Sequence, residues 1–220
     1  MSYGICFPRW RADAPDWDAY VRAPFLQSLA DGSLPRRAFL TYLAQDYLFL
    51  IHFARAWSLA VTKAGSLAEM RACSATVHAL LETETRLHVD LCGRAGITEA
   101  ELAATAEAPQ NLAYTRYVLE AGYSGDFLDL LAALAPCVLG YGEIGARLLA
   151  GSHDPAHAEW IETYGGPDYQ ALCRDTAALI DGAVASRLGP QAHALPRWRE
   201  LQNRFSTATR LEAAFWTLAG

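Results

Sequence analysis

Between Asp126 and Arg147 the chain reads DFLDLLAALAPCVLGYGEIGAR, an apolar helical run interrupted by one proline. Pro136 removes a backbone donor and opens or bends such a helix. Cys137 follows at once, and Tyr141 lies one turn further on, on the same face. If a second helical half begins at the proline, Cys137 sits in a first turn, where the helix dipole lowers a thiol pKa. Tyr141 is then placed to bond the sulfur or its substrate. The competing account is a cysteine acting as a small buried hydrophobe, the usual fate of a free thiol.

The rest of the chain repeats apolar residues at three- and four-residue steps, and no segment alternates between hairpin turns, so helices and no strands are expected. Residues 1–12 read as an irregular lead-in. A helix from near Asp13 or Asp16 carries Trp17, Tyr20, Val21, Phe25 and Leu29 inward, kinks at Pro24 and ends at Asp31-Gly32. Ser33 is the expected cap of a second helix that has Pro35 in its first turn and reaches about Lys63. A third runs without interruption to about Leu91, and Thr98 caps a short one over 99–106. Further helices are expected over 112–121, through the Cys137 run, up to Tyr164-Gly165-Gly166, from Pro167 to about Arg187, and over 196–218. Short loops suit antiparallel neighbours, so the expected fold is an all-α bundle, one domain over residues 1–220.

Composition narrows the partners. The net charge is −6 and the 18 basic residues are scattered, which argues against nucleic acid and against an anionic membrane surface. The apolar runs are read as too short or too interrupted to span a bilayer. Five cysteines, an odd number with no CxxC spacing, fit a reducing compartment better than a disulfide framework. With no basic-then-apolar leader at the N-terminus, a soluble cytoplasmic protein is expected.

A few polar residues interrupt apolar faces. Asp46 lies on the stripe formed by Phe39, Tyr42, Leu43, Phe49, Leu50, Phe53 and Trp57. It is either a core carboxylate satisfied by an arginine or a helix cap, or an acceptor for a ligand N–H. Glu212, in RLEAAFW, lies one position off the stripe of Leu211, Phe215 and Trp216 and reads as a solvated glutamate. Tyr114, Tyr117, Tyr141 and Tyr164 are candidate core or pocket residues, Tyr164 being well placed at a helix end. Glu84 and His88 are four residues apart, the spacing of two metal ligands, and with Glu143 and Asp46 they raise a di-iron site. The Glu-x-x-His steps such sites use are absent, so no metal and no cofactor are expected. A hydrogen bond is the simpler account of the pair. There is no Gly-rich phosphate loop and no serine elbow.

Four blocks in order resemble one family. GSLPRRAFLTYLAQDYLFLIHFAR, AYTRYVLEAGYSGDFLDLLAALAPCVLGYGEIG, WIETYGG and RLEAAFWTLA are similar to segments of thiaminase II, the TenA-type aminopyrimidine aminohydrolases, in the branch with a cysteine after the proline. The resemblance runs from about Phe25 to Trp216. It implies a heme-oxygenase-like bundle without haem, usually a homotetramer, acting in thiamine salvage. The implied reaction is hydrolysis of 4-amino-5-aminomethyl-2-methylpyrimidine to the hydroxymethyl pyrimidine and ammonia, with thiamine cleaved to that pyrimidine and the thiazole alcohol by some members. By the same resemblance Cys137 is the nucleophile at pyrimidine C6 and Glu212 the acid at the neighbouring ring nitrogen. Asp46 holds the amino edge, and Tyr141, Tyr164 and Tyr114 line the pocket. Phe49 stands where some members carry a tyrosine that supports the cysteine, which shifts activation of Cys137 toward Tyr114, Tyr141 or the helix end. Two other readings stay open: a di-iron oxidase on the same scaffold, and a non-catalytic pyrimidine- or thiamine-binding protein.

Overall fold

The structure is a computed structural model that describes residues 3–219. Among the described residues every regular element is helical. The chain starts with three short helices, α1 (Cys6–Ala12), α2 (Trp17–Val21) and α3 (Pro24–Asp31). The expected lead-in is therefore helical, and it buries Cys6, Phe7 and Trp10. The expected kink at Pro24 is instead a break. Ala23 is extended (φ −51°, ψ 145°), as a residue before proline prefers, and Pro24 opens α3. Gly32 ends α3 in the left-handed conformation (φ 77°).

The long α4 (Arg36–Lys63) has Pro35 at its N-cap and no side-chain cap. Ser33, the expected cap, turns back, its N–H donating to Asp31 Oδ1. Next, α5 (Leu67–Ala79) passes through one π turn (Leu80–Glu84) into α6 (Thr85–Gly93). The Thr85 N–H and hydroxyl both reach the Leu80 carbonyl five residues back, the widened step of a π turn. Periodicity alone gave no sign of that extra residue. Thr98 and Glu101 cap α7 (Glu99–Ala103) reciprocally. Helix α8 (Pro109–Ser124) starts earlier than expected because Pro109 opens it.

Helix α9 (Phe127–Ala150) is the axis of the molecule. Asp126 caps it, accepting from Leu128 and Asp129 N–H, and Asp129 returns a bond to Asp126 N–H. It passes through Pro136 without ending. By length and composition it could cross a membrane, contrary to the sequence-based expectation, yet 94% of its apolar window is buried inside the protein. Around it pack α4, α8, α10 (Ala158–Gly165), α11 (Pro167–Leu188) and α12 (Pro196–Phe215), closed by a final 3₁₀ turn (Trp216–Ala219).

Two contacts set the register around α9. Gly145 lies where α10 crosses, and a methyl group there would collide with the Tyr164–Gly165 backbone. Only glycine allows backbones that close, and the crossing fixes Tyr164 beside Tyr141. At the other end Arg197 grips the buried Asp129 with both nitrogens, at 2.5 and 3.1 Å, so α12 is pinned to the start of α9.

Candidate active site

Because α9 is continuous, Cys137 occupies a helix interior, not a first turn. The dipole argument for an activated thiolate therefore fails. Burial, then the nearby carboxyl groups of Glu212, Glu84 and Asp46, hold the thiol well above its ordinary pKa. Cys137 nevertheless keeps 7% exposure, while its helix neighbours Leu134, Ala135 and Leu139 have none.

Glu212 from α12 is an electrostatic neighbour of the thiol, and each shifts the other. Glu212 is 2% exposed, and its Oε1 accepts from Tyr114 Oη at 2.8 Å. Burial pushes this carboxyl up to about 8, although the Tyr114 bond opposes the shift. It is thus a neutral acid at neutral pH that can give and take a proton. Phe49 stacks on Tyr114 with ring centroids 4.9 Å apart. It contributes packing where a phenol would contribute a hydrogen bond, and it holds Tyr114 against Glu212.

Across the site, Asp46 Oδ2 accepts from Tyr42 Oη at 2.9 Å and meets His88 Nε2 at 2.7 Å. His88 is fully buried, and its Nδ1 lies 2.7 Å from the Glu84 backbone carbonyl. A carbonyl only accepts, so Nδ1 carries a proton and a second proton lies between Nε2 and Asp46. Burial alone would drive the imidazole neutral, but the bond and charge of Asp46 prevail and its pKa is raised. The pair is a buried ion pair. Tyr42 gives its one hydrogen to Asp46, so at 3.4 Å the Tyr141 hydroxyl donates to Tyr42, which also accepts from Trp160 Nε1 at 3.2 Å. Tyr141 is therefore committed to the Asp46 network and not to the sulfur. Tyr164 stacks near Tyr141 at 4.9 Å, and its buried hydroxyl has no hydrogen-bond partner.

Cys137, Glu212, Tyr114 and Phe49 thus share one end of a buried centre, and Asp46 and Tyr141 the other. Glu143, named with the metal alternative, bonds Arg11 at 2.9 Å instead. Among the described residues no three His, Cys, Asp or Glu side chains are grouped to hold an ion. Sequence reasoning missed Tyr42, Trp160 and the partnership of His88. Tyr42 had a signal, since it precedes Asp46 by one helical turn. For His88 the spacing pointed to the Glu84 carboxylate, whereas the ring bonds the Glu84 backbone.

Known proteins show the same arrangement of elements. A crystal structure of a protein described as a TenA family transcription regulator, from Silicibacter sp. TM1040, superposes with a TM-score of 0.97 at 54% identity, covering 99% of this chain and 97% of that one. An aminopyrimidine aminohydrolase of Halalkalibacterium halodurans is 37% identical over 93% of this chain and 90% of its own length. One from Bacillus subtilis is 30% identical over 94% and 86%. The TENA/THI-4/PQQC family model matches residues 10–219, nearly the whole chain, including both ends of the buried centre, and the chain therefore belongs to that family.

Proposed function

We propose that this protein, a hydrolase of thiamine salvage, releases ammonia from 4-amino-5-aminomethyl-2-methylpyrimidine through a covalent adduct on Cys137. The observation that carries the reading is the pairing of a buried thiol with a carboxyl whose pKa lies near 8, opposite a fixed Asp46–His88 pair. The ring is a poor electrophile until its nitrogen beside C6 is protonated. Glu212 supplies that proton as the sulfur bonds to C6, and the thiol proton passes to Glu212. The electron pair returning from the ring breaks the exocyclic C–N bond, and the amine leaves as ammonia. Water adds to the methylene, the S–C6 bond breaks, and the thiol is restored. Two modest barriers replace one difficult displacement.

Asp46, held by His88 and Tyr42, presents its free lone pairs to the pyrimidine amino group. Tyr141, Tyr164 and Tyr114 enclose the ring, and the unpartnered Tyr164 hydroxyl is available to a ring nitrogen. Because Phe49 leaves the sulfur without a phenolic donor, cleavage of thiamine is the slower reaction in this reading. All five cysteines are free, which suits a reducing cytoplasm, and a homotetramer is the assembly proposed by family resemblance. Incubation with the aminomethyl pyrimidine should yield equimolar ammonia and hydroxymethyl pyrimidine, faster than thiamine yields the thiazole alcohol. Absence of ammonia release would overturn the reading, and binding without turnover would favour a carrier of pyrimidines.

A further inference from the structure

The centre is closed, so a substrate must have a way in. Four surface cavities are lined by at least one arginine, among them Arg187, Arg9, Arg36 and Arg37. A different cavity, of about 300 Å³, is framed by the π turn, the end of α10 and the start of α11. Its wall holds three carboxyl groups, those of Glu84, Glu162 and Asp168, and no arginine, lysine or histidine.

This cavity alone among the five shares a side chain with the central network. Glu84 and Tyr169 form its inner wall, 6% and 7% exposed. The Glu84 carbonyl bonds His88 Nδ1 at 2.7 Å. The Tyr169 ring meets Tyr164 edge-on at 5.0 Å. Cys137 is an electrostatic neighbour of both Glu84 and Tyr169. The inner wall therefore separates the cavity from Tyr164 and His88 of the buried centre.

We propose that this acid-lined cavity is the port through which cationic aminopyrimidines reach the buried centre, with the exposed carboxylates of Glu162 and Asp168 drawing them in. The inference rests on the function proposed above. The aminomethyl group is an ammonium at neutral pH, and thiamine is a cation as well. A cleft lined with charge of one sign raises the local concentration and the on-rate of the opposite charge. Glu162 and Asp168 are exposed, so they can be changed without opening the core.

The test is the association rate of two pyrimidines with the Cys137→Ala protein, read from the fluorescence of Trp160 and Trp216, which lie 6.0 and 5.6 Å from Tyr141. One ligand is the aminomethyl pyrimidine, and the other is its N-formyl amide, of the same ring and without charge. Adding Glu162→Lys and Asp168→Lys should slow the cation about tenfold at low ionic strength and leave the amide within about twofold, the gap closing near 1 M salt. A control of equal charge change outside the cavity, Asp13→Lys with Asp18→Lys, should leave the ratio of the two rates unaltered. Thr83→Trp, at an exposed position in the cavity wall, should slow both ligands. Equal slowing of cation and amide by the lysines, no slowing of either, or rates indifferent to Thr83→Trp would overturn the proposal. Failure of the unmodified protein to bind either pyrimidine would instead overturn the functional reading beneath it.

Discussion

The two ends of the buried centre each place a carboxyl group in the core, and they treat it in opposite ways. Asp46 has a cation beside it, His88 at 2.7 Å, and a phenol at 2.9 Å. Glu212 has a phenol at 2.8 Å and a thiol, and no cation. A carboxylate bonded to a buried imidazole and a phenol keeps its orientation. A carboxyl without a cation beside it is pushed toward the neutral acid. One end is thus built to hold a ligand still, and the other to move a proton.

Substitutions can separate the two ends. The largest expected effect is Cys137→Ala, which should lower ammonia release at least about 10³-fold while thermal unfolding shifts little. Turnover within tenfold of the unmodified protein would remove the covalent step. Glu212→Gln comes next, with turnover down about 10²-fold or more. The sign of its pH dependence is definite. Glu212 is a neutral acid below about 8 and a carboxylate above, so activity requiring its proton falls as pH rises through about 8. That limb should be absent from the Glu212→Gln profile.

His88→Asn acts on the other end. It leaves Asp46 with an unpaired buried charge, a cost of about 3–5 kcal/mol, and should raise KM more than it lowers kcat. Equal KM with reduced kcat would put His88 at the proton-moving end and dissolve the contrast. The smallest effect is expected from Glu84→Gln. Burial raises Glu84 to about 8, so its contribution to stability is complete below its unfolded value and is lost as pH rises toward 8. The variant should melt higher than the parent at pH 8 and converge with it below pH 5. It should also retain the activity limb assigned to Glu212.

How far these features could be read from the chain depended on their range. Helix type followed from periodicity, and α9 declared itself by its apolar run. Prolines were harder, because the ring fits both an N-terminal turn and a helix interior. Pro24 opens a helix and Pro136 lies inside one, and neighbouring packing decides between them. Asp46 stood out as a charge on an apolar face, whereas Glu212 lies one position off its stripe and was singled out by the family resemblance alone. Their unequal environments did not show, since they depend on His88 and Tyr114, which lie 42 and 98 residues away in sequence.

The continuity of α9 through Pro136 has a further consequence, for durability. A thiol at a helix N-terminus would rest as a thiolate, the form that peroxide attacks. Cys137 rests protonated, and burial likewise raises the other four cysteines, Cys6, Cys73, Cys92 and Cys173. The resting protein should therefore survive oxidants that inactivate enzymes with exposed low-pKa cysteines.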